Sequence, residues 1–134
     1  MRIMIDTNIL ISMIFFPSRH MNELKTLLCK EHSIILCSYV INELQKVTER
    51  KFSGKAREMD IFFKSLPFRM VYTPKYIGKD NYPSVRDDMD TPILVTAILE
   101  DVDILITGDK DFSEVEIERP EIMTPSEFLE QYKK

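Results

Sequence analysis

Residues 1–10, "MRIMIDTNIL", decide how the rest of the chain is read. "RIMI" is a short apolar-rich run of the kind that forms a strand buried on both faces. "NILISMIFF" at 8–16 carries apolar residues too densely for a surface helix, which predicts a buried helix closed by Pro17. Asp6 stands at the joint. The same strand-then-helix unit recurs downstream. "SIILCS" at 33–38 predicts a second strand and "SYVINELQKVTERKF" at 38–52 a helix, with Val40, Ile41, Leu44 and Val47 on one face. Between the first two units, Ser18 can cap a helix "RHMNELKTLLCK", whose Met21, Leu24, Leu27 and Leu28 follow helical spacing. "GKAREMDIFFKSL" predicts a further helix ended by Pro67, and "FRMVYT" a third strand. The stretch 74–86, with two prolines and a glycine, reads as loop.

"DTPILVTAILED" at 90–101 predicts a helix with Asp90 near its N-cap and Pro92 in its first turn. "VDILIT" is a fourth strand, "EIMTP" a short fifth, and Thr124 or Ser126 opens a closing helix. Buried strands alternating with amphipathic helices predict an α/β domain with a mainly parallel sheet. The 134 residues suffice for one core, so residues 1–134 are read as a single domain.

The hydrophobic fraction of 44% and charged fraction of 30% are those of an ordinary globular chain. No apolar run approaches the roughly 20 residues that span a bilayer, and "MRIMIDTN" lacks the features of a secretory leader, so a cytoplasmic protein is expected. Cys29 and Cys37, each in an apolar context, are read as reduced core thiols. The net charge of −4 argues against nonspecific duplex binding. Ten of the eighteen basic residues nevertheless fall between Lys46 and Arg86: Lys46, Arg50, Lys51, Lys55, Arg57, Lys64, Arg69, Lys75, Lys79 and Arg86. A basic middle beside an acid-rich stretch from Asp80 to Glu121 suits an anionic substrate, and solvated helix faces explain the pattern equally well.

Four acids fall where strands end or helices begin: Asp6, Glu43, Asp90 and Asp109. Taken singly, each has a structural explanation. Asp6 and Asn8 suit a capping turn, Glu43 a solvated helix face, Asp90 an N-cap, and Asp109 or Asp111 a turn. Gathered at one sheet edge, they would form a cluster of like charge that needs a cation to neutralise it. Carboxylates select a hard divalent metal. His20 and His32 have no matching Ser or Cys neighbour, and the eight methionines read as core filler. The middle aromatics Phe52, Phe62, Phe63, Phe68, Tyr72, Tyr76 and Tyr82 could stack on unpaired bases; Phe62, Phe63 and Phe68 are read as core, while Tyr76 and Tyr82, in the loop, keep the stacking reading.

"MIDTNIL", "SYVINELQKV", "DTPILVTAI" and "DILITGDKDF", in that order and followed by "IMTPSEFLE", resemble the PIN-domain ribonuclease family, in particular the small prokaryotic toxins of VapC type. The resemblance covers essentially the whole chain. It implies a three-layer α/β/α sandwich with a mainly parallel sheet of four to five strands, and Mg²⁺- or Mn²⁺-dependent endonuclease activity on RNA. It places catalytic and metal-binding roles on Asp6, Glu43, Asp90 and Asp109, with Asn8, and less directly Thr7, in support. An antitoxin partner and a homodimer are further implications. "VRDDMDTP" also supplies Asp87 and Asp88, and Asp111 stands near Asp109, so the third and fourth acids have neighbours that could take their places. Asp90 is preferred for its position just before the helical run, and Asp109 for its nearness to the strand end. A degenerate PIN fold acting as a non-catalytic RNA-binding or scaffold module is the alternative, as is a metal-dependent phosphatase of the haloacid dehalogenase type. The latter wants a second Asp where Asn8 stands.

Overall fold

The computed structural model describes residues 1–74, 91–108, 112, 115 and 117–133. Their elements run β1 (Arg2–Ile5), α1 (Thr7–Phe15), α2 (Arg19–Glu31), β2 (Ser33–Cys37), α3 (Ser38–Lys51), a 3-10 turn (Ser53–Lys55), α4 (Ala56–Ser65), β3 (Phe68–Val71), α5 (Thr91–Leu99), β4 (Ile104–Ile106), β5 (Glu121–Met123) and α6 (Pro125–Tyr132). The five strands form one sheet in the order β3, β2, β1, β4, β5, and every neighbouring pair is parallel. The α/β architecture read from the sequence is therefore present. The predicted loop at 74–86 lies, beyond Pro74, outside the described residues.

Burial follows strand position. The central strands β1, β2 and β4 are buried along nearly their whole length, as parallel strands covered on both faces must be. The edge strands β3 and β5 keep exposed positions, among them Arg69, Met70 and Glu121. Helices α1 and α5 were dense in apolar residues for a reason. Ile9, Leu10, Met13, Ile14 and Phe15 of α1 and the whole run Ile93–Ala97 of α5 are buried, so neither helix shows a polar face of ordinary width.

Some boundaries differ from the sequence reading. Strand β3 stops at Val71, because the Thr73 N–H turns away to donate to Ser38 Oγ at 2.9 Å. The helix expected from Gly54 begins at Ala56 behind the 3-10 turn, where the Lys55 N–H donates to the Phe52 carbonyl at 2.8 Å. Thr124, not Ser126, opens α6. Its hydroxyl accepts from the Glu127 N–H while the Glu127 carboxylate accepts from the Thr124 N–H, a complete capping box. Just beyond α5, Asp101 lies in the left-handed region at φ 56°. The Val102 N–H reaches back to the Ala97 carbonyl and the Asp101 N–H to the Ile98 carbonyl, the closure usually given to glycine. His32 is the C-cap residue of α2, and its ring stands edge-on to Phe128 and Tyr132 of α6.

Candidate active site

The chain leaves β1 toward β2 and β3 on one side and returns to β4 and β5 on the other. The carboxyl ends of the adjacent strands β1 and β4 are therefore the point where the winding reverses, the usual place for a site in an open parallel sheet. Ile5 stands opposite Ile106 there, and the Asp6 N–H extends the ladder by donating to the Ile106 carbonyl at 3.0 Å.

Asp6 is the N-cap of α1 and is only 3% exposed. Its Oδ1 accepts from the Thr7 N–H at 2.7 Å, so the capping explanation holds for one oxygen. The other oxygen faces a different part of the chain: Oδ2 accepts from the Thr107 hydroxyl at 2.7 Å, across 101 residues of sequence. Sequence reasoning missed Thr107. The available signal was a polar residue ending the apolar run "DILI", since a buried hydroxyl must find a partner. Thr7 is buried as well, and its Oγ1 has no hydrogen-bond partner among the described residues.

Glu43 lies in the second turn of α3 and is half-buried. The start of α3 is fixed to the sheet by a reciprocal clasp: the Tyr39 N–H donates to Thr73 Oγ1 at 3.2 Å, and the Thr73 N–H donates to Ser38 Oγ. Cys37, the N-cap residue, makes no side-chain cap bond, so Thr73 takes over that duty from a neighbouring strand's end. Helix α3 packs against α1, which starts behind Asp6, and against α5, whose first residue Thr91 follows Asp90. Asn8 is exposed in the first turn of α1. Asp6, Thr7, Asn8 and Thr107 thus share one edge, with Glu43 on a helix packed beside it. Asp90, Asp109 and Asp111, and the neighbours Asp87 and Asp88, lie outside the described residues.

The donors present suit a hard divalent cation. Asp6 is a buried carboxylate, a hard oxygen donor of the kind a divalent cation takes. The orphaned Thr7 hydroxyl adds an oxygen at the same edge. The soft ligand nearby is disfavoured, because burial pushes the Cys37 thiol up and keeps it protonated. Among the described residues no group of three His, Cys, Asp or Glu side chains gathers into a complete cation site.

Comparison with known proteins agrees with this geometry. A chain of VapBC2 from Rickettsia felis, in a crystal structure bound to a DNA fragment from their promoter, superposes with a TM-score of 0.68 at 21% identity. The match covers 92% of this chain and 97% of that one, and shows the fold in common. None of the curated proteins compared matches the chain. The family description "PIN domain" matches residues 2–111, which hold β1 through β4 and both Asp6 and Thr107. The chain belongs to the PIN-domain family.

Proposed function

We propose that this protein is a metal-dependent endoribonuclease, and that it is the toxin half of a toxin–antitoxin pair. The observation that carries the reading is Asp6: a carboxylate buried at the winding-reversal edge of a PIN-domain chain and held there by Thr107. Mg²⁺ or Mn²⁺ would be held by Asp6 with Asp90 and Asp109, and Glu43 and Asn8 would complete the polar surround. Such an ion, when bound, polarises a phosphate and eases deprotonation of water. The chain's own share is orientation. The Thr7 N–H and the Thr107 hydroxyl hold the Asp6 carboxylate in one orientation, so it meets the site without reorganisation. Its neighbours at this edge, Ile5, Ile9 and Ile106, are buried as well.

RNA incubated with the purified protein and Mn²⁺ should be cut to fragments bearing 5′ phosphates, and chelation should stop the reaction. Asp6→Asn should lower the rate at least about 100-fold with an unchanged circular dichroism spectrum. Full activity of Asp6→Asn in Mn²⁺ would refute the assignment.

Support for an antitoxin partner comes from the VapBC2 likeness. A homodimer and a cytoplasmic location complete the proposal. Among the described residues no helix is long and apolar enough to cross a membrane. Expression in cells should arrest growth for the wild type and not for Asp6→Asn, and equal growth of the two would count against a toxin.

A further inference from the structure

The described bases of the middle segment carry no ion pair among the described residues, a trait they share with Lys25 and Lys30 of α2. Ion pairs among the described residues fall on Arg2, Arg19, Arg119 and Lys133, and none on Lys46, Arg50, Lys51, Lys55, Arg57, Lys64 or Arg69. Two of these unpaired bases are in register with Glu43. At 3.6 residues per turn, Glu43, Lys46 and Arg50 fall within ~60° of one another around α3. Val40, Leu44 and Thr48 form the buried stripe alongside. Lys46 and Arg50 are exposed, and Arg50 stands ~10 Å along the axis from Glu43. Lys55 in the 3-10 turn continues the charge beyond the helix, while Glu49 lies off the stripe on its solvent flank. Arg50 and Lys51 also suit the negative end of the α3 dipole, but Lys46, in mid-helix, gains nothing from it.

A second observation comes from the other end of the helix. Tyr72 is 76% exposed, immediately beyond the carboxyl end of β3, and the next residue is the Thr73 that clasps the first turn of α3. An exposed aromatic ring and a line of unpaired cations are the two elements of single-strand recognition: a face for a base and a rail for phosphates. The stripe is one helix face wide in a chain of net charge −4, which fits one strand rather than a duplex.

Resting on the nuclease reading above, we propose that single-stranded RNA runs from the carboxyl edge of the sheet down the outer face of α3, with a base stacked on Tyr72 and phosphates on Lys46 and Arg50.

The test is fluorescence anisotropy of a labelled twelve-nucleotide single-stranded RNA in chelator, where cleavage plays no part. Lys46→Ala/Arg50→Ala should weaken binding and reduce the slope of log K against log salt by about 1.4, or ~0.7 for each phosphate contact. Tyr72→Ala should weaken binding roughly tenfold and leave the slope unchanged. Arg19→Ala/Lys30→Ala, an equal loss of charge on α2, should leave both nearly unaltered. The proposal is overturned by an unchanged slope in the α3 variant, by an equal effect of the α2 variant, or by no binding at all. It is overturned too if duplex RNA or polyglutamate competes as well as the single strand, the latter pointing to an acidic protein on this face. A parallel cleavage assay with Mn²⁺ separates the two readings. Stripe-dependent binding without cleavage by the wild type sinks the nuclease and keeps the rail, whereas cleavage with stripe-indifferent binding sinks the rail alone.

Discussion

The two oxygens of Asp6 answer to different parts of the chain, one to the helix it caps and one to the end of a strand 101 residues away. The local half could be read from "IDTN" as a capping turn. The distant half could not, because threonine is an ordinary strand residue and its role appears only once β1 and β4 are neighbours. Thr107→Val keeps the shape and removes the donor. A hydrogen bond to a charged group contributes roughly 1.5–3 kcal/mol, so the variant should lose about 2 kcal/mol in urea unfolding. If Thr107 acts by positioning Asp6, the variant should also need more Mn²⁺ for half-maximal RNA cleavage, and Thr107→Ser should restore both properties. An unchanged Mn²⁺ requirement in Thr107→Val would reduce Thr107 to a purely structural residue. Asp90 and Asp109 still stand as the sequence and the family resemblance presented them.

Helices were the legible elements, because their apolar spacing survives in the sequence whatever packs on them. Ser18 and Thr124 as caps, and the dense runs of α1 and α5 as buried, followed from local chemistry. The start of α3 was different. Its cap is supplied by Thr73 from the end of β3, a contact between residues 34 apart that no local pattern announces. The same contact shortens β3, so a strand boundary and a helix cap were missed for one reason. Thr73→Val leaves the Tyr39 N–H without its acceptor and should cost about 1 kcal/mol of stability, with Thr73→Ser close to neutral. Chemical denaturation of the wild type and the two variants measures it, and equal midpoints for the wild type and Thr73→Val would show that water caps α3 as well.

The molecule as a whole is a sheet whose hydrophobic order was plain in the sequence, with polar ties at its rim that were not. One buried ring and one of those ties set its response to acid. Burial lowers the affinity of His32 for a proton, and both ring nitrogens lack partners among the described residues. The unfolded chain therefore takes up that proton first, and stability present above about pH 6.5 falls as the pH drops below it. Asp103 is held below the usual carboxylate range chiefly by the Arg2 N–H, with Arg119 adding to it. Its contribution is present above about pH 4 and is lost as acid protonates it. Melting temperature against pH should thus show an early decline that His32→Phe removes and a later one that Asp103→Asn removes. A curve in which neither variant differs from the wild type would refute both assignments. Arg2 and Asp103 tie one end of the β1–β4 pair, and Asp6 and Thr107 tie the other, each pair separated by 101 residues. The central strand of the sheet is thus made well before β4, and it cannot complete its pairing until Thr107 has left the ribosome. No amino-terminal fragment that stops short of Thr107 can hold Asp6 against its partner, so this edge stays unassembled until β4 has followed β1.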